Sequence, residues 1–349
     1  MKPIIPFALL GALLAVGAAN GAAVTDPVGY NTTVLYGANT LGVRKNNAVG
    51  PQLENPTVWG GTVASVTGDQ LVLTNAALTP GAFGIATFDL DRYTYCIEAA
   101  DGTWAHIVSN DATSVTVQAG MGSQFVATDQ VAIRAHLTIS QIFGANNETG
   151  LLGDSGGDAS VADNIVLVDE QYGGNVIIFP SDVLADGSVY ITDGFAVADN
   201  FPIYPDQGLQ VSRYSTGNLS LVLDGSVDTN GRQNGVPSGF SIRPVQNPVD
   251  FSLSELNLVT GDPATGLVGT TTGDSSEADT VNLLVDGATA VYFYSSVDLG
   301  SGAGWYDDSF NFVDADAIPA GLALLIYRTN PTNSSAFTWA VPAPVISAP

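Results

Sequence analysis

The chain has 349 residues, of which 34 are acidic and only 9 basic, giving a formal net charge of −25. So negative a surface repels phosphate backbones and excludes a nucleic-acid partner, while leaving divalent cations open as partners. With 45% hydrophobic and 12% charged residues there is enough apolar material for packed cores, which excludes general disorder.

The first 23 residues place Lys2 ahead of an apolar run that ends in small residues, the layout of a secretory signal peptide. The run is too short to span a bilayer comfortably, and no later segment reads as a membrane helix. Export is therefore expected, to the medium or the cell surface, with a mature chain starting near Thr25 and no membrane span.

Residues 24–130 read as a small β module. GTVASVTGDQLVLTN alternates apolar and polar positions on both sides of Gly68-Asp69, and YTYCIEAADGTWAHIV does so around Asp101-Gly102. DATSVTVQAG and QVAIRAH supply two further strands. The single cysteine, Cys96, excludes an internal disulfide and reads as a buried thiol. The two histidines, His106 and His136, have neither triad order nor metal-ligand spacing.

From about residue 131 the chain says one thing twice. TGLLGDSGGDASVADNIVL (149–167) aligns without a gap on TGLVGTTTGDSSEADTVNL (265–283), with 10 of 19 positions identical. Upstream, each copy is expected to open on a strand carrying Ile-Arg (Ile133-Arg134, Ile242-Arg243). A capping box comes next, Thr138 with Gln141 and Ser252 with Glu255, predicting one short helix per copy. The expected division is repeat 131–225, a Gly-, Asn- and Pro-rich linker 226–239, repeat 240–342 and a tail 343–349. The fold class is all-β: a small N-terminal module followed by two tandem copies of a β-sandwich-like unit.

Four groups of residues carry candidate chemistry. The repeated G-D-x-S-x-A-D loop offers Asp158, Ser160 and Asp163, then Asp274, Ser276 and Asp279, which are oxygen donors of the kind Ca²⁺ takes. The same residues also cap turns through backbone N–H groups. Asp224, Asp228 and Asn230 form a looser oxygen cluster. Tyr190, Trp305 and Tyr306 are either a sugar-stacking platform or cross-strand packing. Arg213 and Arg328 fall at the same place in the two copies and are expected to form partly buried ion pairs that fix the fold.

The chain also carries Asp26-Pro27-Val28-Gly29-Tyr30 after the leader and a GxVxxVxG hairpin at 61–68. Later come Ala278-Asp279, an aromatic strand at 292–294, Gly304-Trp305, and Pro319 with Gly321 and Arg328. In these it resembles an uncharacterised family of exported, β-rich bacterial proteins known chiefly from Verrucomicrobia, with Tyr190 standing for the Trp in the first copy. That resemblance implies export and a β-rich fold, and no activity. The leading expectation is an exported, non-enzymatic structural, cell-surface or matrix protein that self-associates. The alternative is an extracellular protein that binds a glycan, and a glycoside hydrolase built on paired carboxylates stands third.

Overall fold

The computed structural model describes residues 28–88, 90–228, 230–245, 249–285, 287–328 and 336–343; the expected signal peptide lies outside them. The protein is all-β, and no helix among these residues is long and apolar enough to cross a membrane.

The chain starts with β1 (Val28–Leu35), β2 (Lys45–Val49) and β3 (Leu53–Glu54). It then runs through β4 (Trp59–Thr67), β5 (Gln70–Leu73), a small excursion of β6 (Ile85–Thr87) and β7 (Asp91–Tyr93), and β8 (Tyr95–Ala99). β9 (Trp104–Asn110), β10 (Ser114–Val117) and β11 (Gln130–Ala135) complete this part. Six of these strands close into a barrel in the order β10-β5-β4-β11-β8-β9. Both expected hairpins form, β4 with β5 and β8 with β9. Alternate residues Leu71, Leu73, Ile97, Ala99, Ala105 and Ile107 fill the interior. Cys96 is buried as expected, and burial pushes its thiol well above the usual range.

Next come β12 (Leu137–Thr138), α1 (Ile139–Phe143), β13 (Asn164–Val168), β14 (Asn175–Pro180) and β15 (Tyr190–Thr192). β16 (Pro202–Ile203), β17 (Leu209–Arg213) and β18 (Leu219–Val227) end the first unit. Its main sheet is ordered β15-β14-β13-β17-β2, and a second sheet, β1-β18-β3, lies over it. Between them Leu35, Leu53, Leu221 and Leu223 meet Ile165, Leu167, Ile178 and Val211, with Ile142 and Phe143 of α1 closing one side.

The second unit is β19 (Arg232–Val236), β20 (Gly239–Pro244), β21 (Thr280–Val285), β22 (Ala288–Ser295), β23 (Gly304–Asp307), β24 (Ala323–Arg328) and β25 (Phe337–Val341). Its sheet order, β23-β22-β21-β24-β20, repeats that of the first unit, and β19-β25 covers it as β1-β18 does there. Trp339, Phe337 and Val236 pack on Val281, Leu283 and Ile326. Both capping boxes form, at α1 and at a tighter 3-10 turn, Leu253–Leu256, which ends on Asn257 in the left-handed region.

The expected boundaries need correcting in two places. The Ile133-Arg134 strand is not the start of the first repeat; it is β11, held in the barrel by β4 and β8. The true counterpart of β20 is β2, because each pairs with the strand that ends in the repeated arginine. The first unit therefore begins at β1, and the barrel is inserted between its β3 and β12. Likewise the linker 226–239 is largely strand: β19 pairs with the alternating β25, and this pairing overrides its Gly- and Asn-rich composition.

The expected arginine ion pairs are present and fully buried. Arg213 Nε meets Asp163 Oδ2 at 2.8 Å, and Arg328 Nε lies 3.8 Å from Asp279 Oδ2. Each aspartate also ties its own loop shut. Asp163 accepts from Leu152 N and donates its own N–H to Leu152 O, while Asp279 does the same with Val268. Burial acts to raise the Asp163 carboxyl, but bonds from Leu152, Ser215, Arg213 and Tyr214 outweigh it and hold the group below its usual range. Asp163→Ala strands the Arg213 charge in the core. It is expected to lower stability by about 3–5 kcal/mol, seen as a lower urea midpoint at unchanged m-value; an unchanged midpoint would refute the role.

Candidate functional site

The repeated acidic loop does not gather its oxygens into one ligand set. Asp163 and Asp279 face inward to the arginines, whereas Asp158 and Asp274 are exposed and cap the backbone N–H groups of Ser160 and Ser276 at 2.8 and 2.9 Å. Gly157 and Gly273, which precede the two capping aspartates, have φ of +77° and +89°. An added Cβ there would lie 2.6 Å from the Phe195 ring or 2.8 Å from Leu299, so backbone conformation and packing both require glycine. Asp228 is drawn to Arg232, while Asp224 stays exposed. Among the described residues no group of three or more His, Cys, Asp or Glu side chains could hold a metal ion.

The expected sugar platform is also corrected. Tyr190, Trp305 and Tyr306 are all core residues. The Tyr190 hydroxyl donates to the carbonyls of Phe143 and Gly144, and that of Tyr306 to Gly302 O at 2.6 Å. Trp305 stands edge-on to Tyr294. Tyr190 and Trp305 face the main cores of their units, and Tyr306, on the opposite face of β23, packs on Phe293 and Phe312, so packing prevails over ligand contact on both faces.

A different site is built where the barrel, the first unit and the second unit meet. A cleft of about 460 Å³ opens there, within the roughly 300–1,000 Å³ range of small-molecule pockets. The barrel presents Trp104 and His106, alternate residues of β9, on its outer face, while Ala105 and Ile107 point into its core. His106 stacks flat on Tyr93 at 4.4 Å and is met edge-on by Tyr204 and Trp104. The second unit closes the junction: Trp104 Nε1 donates to Gln233 O at 2.9 Å, and Gln233 N to Gly102 O. The first unit closes it from the other side, where Tyr172 Oη donates to Asp91 O.

Every charge of this cleft is paired, with three carboxylates on two guanidiniums leaving one negative charge in excess. Arg92 is buried against Asp169 at 2.9 Å, and Arg243 is shared between Glu170 and Asp206. Burial raises the Glu170 carboxyl, with the nearby Asp206 adding to the shift against the pull of Arg243. His106 Nδ1 and His136 Nε2 lie 3.1 Å apart. Burial lowers the His106 imidazole to about 3, and burial with the His106 and Arg232 neighbours lowers His136 well below its usual value. Both rings are neutral at physiological pH.

Behind His136 lies a buried charge cluster. Arg232 of β19 contacts Glu54 of β3, Glu98 of β8 and, at 3.2 Å, Asp228. Arg134 of β11 contacts Glu98 at 3.0 Å and Glu54 at 3.4 Å. Three carboxylates on two guanidiniums leave one excess negative charge. Burial pushes the Glu54 carboxyl up to about 8, opposed by Arg232 and assisted by Glu98 and Asp228.

Sequence reasoning placed no function in this cleft, because its walls come from residues between 92 and 338. The one legible signal was the Trp104, His106 alternation on a strand whose other face is apolar. Comparison with protein-family models, curated proteins and solved structures gives no match.

Glu54 sets a pH dependence. Its folded pKa, about 8, lies above the ordinary 4.5, so the fold favours its protonated form. That stabilisation is complete below about pH 4.5 and is lost as the pH rises to about 8. The thermal unfolding temperature is expected to fall more steeply over this interval in the unaltered protein than in Glu54→Gln; parallel profiles would count against the assignment.

Proposed function

We propose that this protein is an exported, non-enzymatic structural component of the cell surface or extracellular matrix. The observation that carries this reading is where the repeated residues lie. The closing aspartates, the arginines, the capping boxes and the edge-strand aromatics of both copies are all used inside the fold. Duplication here multiplies a scaffold. The carboxylates of the junction cleft are each held by an arginine, which fits binding better than acid–base chemistry. The layout of residues 1–23, the family resemblance and the strong negative charge support export.

The test is to express the full chain in a bacterial host, fractionate the cells and determine the N-terminal residue by mass spectrometry. The expected product is a chain starting near Thr25 in the envelope or medium, with no full-length form accumulating in the cytosol. An unprocessed cytosolic protein would remove the reading.

A second reading, glycan binding, is favoured by one specific observation: the aromatic and amide-rich cleft at the three-part junction.

A further inference from the structure

We propose that the cleft between the barrel and the two repeated units is a binding site for a neutral saccharide. The inference rests on the surface reading only in placing the protein where saccharides are found.

Beside Arg243 Nε, which is buried without a hydrogen-bond partner, the unmatched polar capacity of the cleft is amide. Five glutamines line it: Gln118 and Gln124 from the barrel, Gln171 and Gln207 from the first unit, and Gln233 from the second. Three of these are already anchored. Gln207 donates to Val168 O at 3.0 Å, Gln233 to Thr103 Oγ1 at 3.3 Å, and Gln171 to Asp91 O at 3.3 Å. The side chains of Gln118 and Gln124 make no hydrogen bond to the described residues, although Gln118 is half-buried at the cleft wall. A carboxamide offers donors and an acceptor side by side. That pair matches a sugar hydroxyl, which both donates and accepts.

Charge decides between ligand classes. Each arginine that lines the cleft is bonded to a carboxylate, His106 is uncharged, and three carboxylates outnumber two guanidiniums, so the lining offers no free positive charge to hold a phosphate, sulfate or uronate. Meanwhile Trp104, Tyr93 and Tyr204 are half-buried around His106, giving apolar ring surface beside the amides. Ring surface for the C–H face of a pyranose and amides for its hydroxyls are the two contacts a neutral sugar needs. A peptide would be held through its backbone on an open strand edge or through apolar pockets. The edge strands β7 and β19 do border this cleft, but Tyr93 N and Gln233 N on them are already bonded, to Tyr204 Oη and Gly102 O, and the lining is mainly glutamines, aromatics and paired ions.

The experiment is calorimetric titration of the full mature chain with neutral hexasaccharides of glucose, xylose, mannose and N-acetylglucosamine. Polygalacturonate and a tryptic peptide mixture serve as contrasts. At least one neutral oligosaccharide is expected to bind, and the Gln118→Ala/Gln124→Ala variant should weaken it about tenfold, with an unchanged melting temperature. Those two side chains hold nothing else in place, so the variant folds as the unaltered protein does. Binding by none of the neutral sugars, binding only of polygalacturonate or peptide, or sugar binding untouched by the double variant would each overturn the proposal. These outcomes are independent of where the chain is found in the cell. A correctly exported protein that ignores sugars refutes this site alone, and a sugar-binding protein kept in the cytosol refutes the surface reading alone.

Discussion

Arg232 is 3% exposed and carries its charge into the interior, where an unpaired guanidinium would be intolerable. Its partners come from parts of the chain that otherwise have separate cores: Glu54 from the first unit, Glu98 from the barrel, and Asp228 just before its own strand in the second. Removing any one part from the others would leave a buried charge without its counter-charge, a penalty of several kcal/mol. The relative placement of the three parts depends on this arrangement, and the cleft exists only where they meet. The Arg92–Asp169 and Arg243–Glu170 pairs repeat the device along the cleft walls. In a chain with 9 basic residues against 34 acidic ones, most arginines hold the interior together and the surplus acid faces water.

The duplication accounts for the two units and not for the site. Each copy keeps the same closed loop, the same buried Asp–Arg pair and an inward aromatic at the edge strand. The copies diverge beyond their opening strands, where the first accommodates a closed barrel. The two main sheets then abut through Ala48, Ile242, Ala323 and Leu325, with Gly208 N bonded to Ile242 O. Asymmetry enters through the barrel, and with it a cleft that has one copy rather than two.

Local chemistry was legible in the chain. The Gly68-Asp69 and Asp101-Gly102 turns, both capping boxes and the repeated arginines read correctly, because each is decided by residues close in sequence or by the repeat itself. The all-β class followed from composition for the same reason. The insertion was not legible. β2 reads Lys-Asn-Asn-Ala-Val, too polar to announce a strand, and its pairing with β17 spans more than 150 residues. Tyr190 and Trp305 were ambiguous because an aromatic on an edge strand can face either way, and only the covering layer decides. The glutamines of the cleft had no signal, since amides on turns and strand ends are ordinary until three surfaces converge on them.

The place where the barrel is spliced into the first unit also bears on how the chain finds its fold. Asn55, at the barrel's start, donates to the carbonyls of Ala135 and His136 at its end, 80 and 81 residues away. Closing a flexible loop of that length would cost about 4 kcal/mol in chain entropy, comparable with the whole stability of a small domain. A barrel that closes through neighbouring hairpins bears that cost within its own cooperative transition. It then delivers the two halves of the first sandwich side by side, as a short turn would. The insertion thus shortens the effective path between strands that the sequence holds far apart.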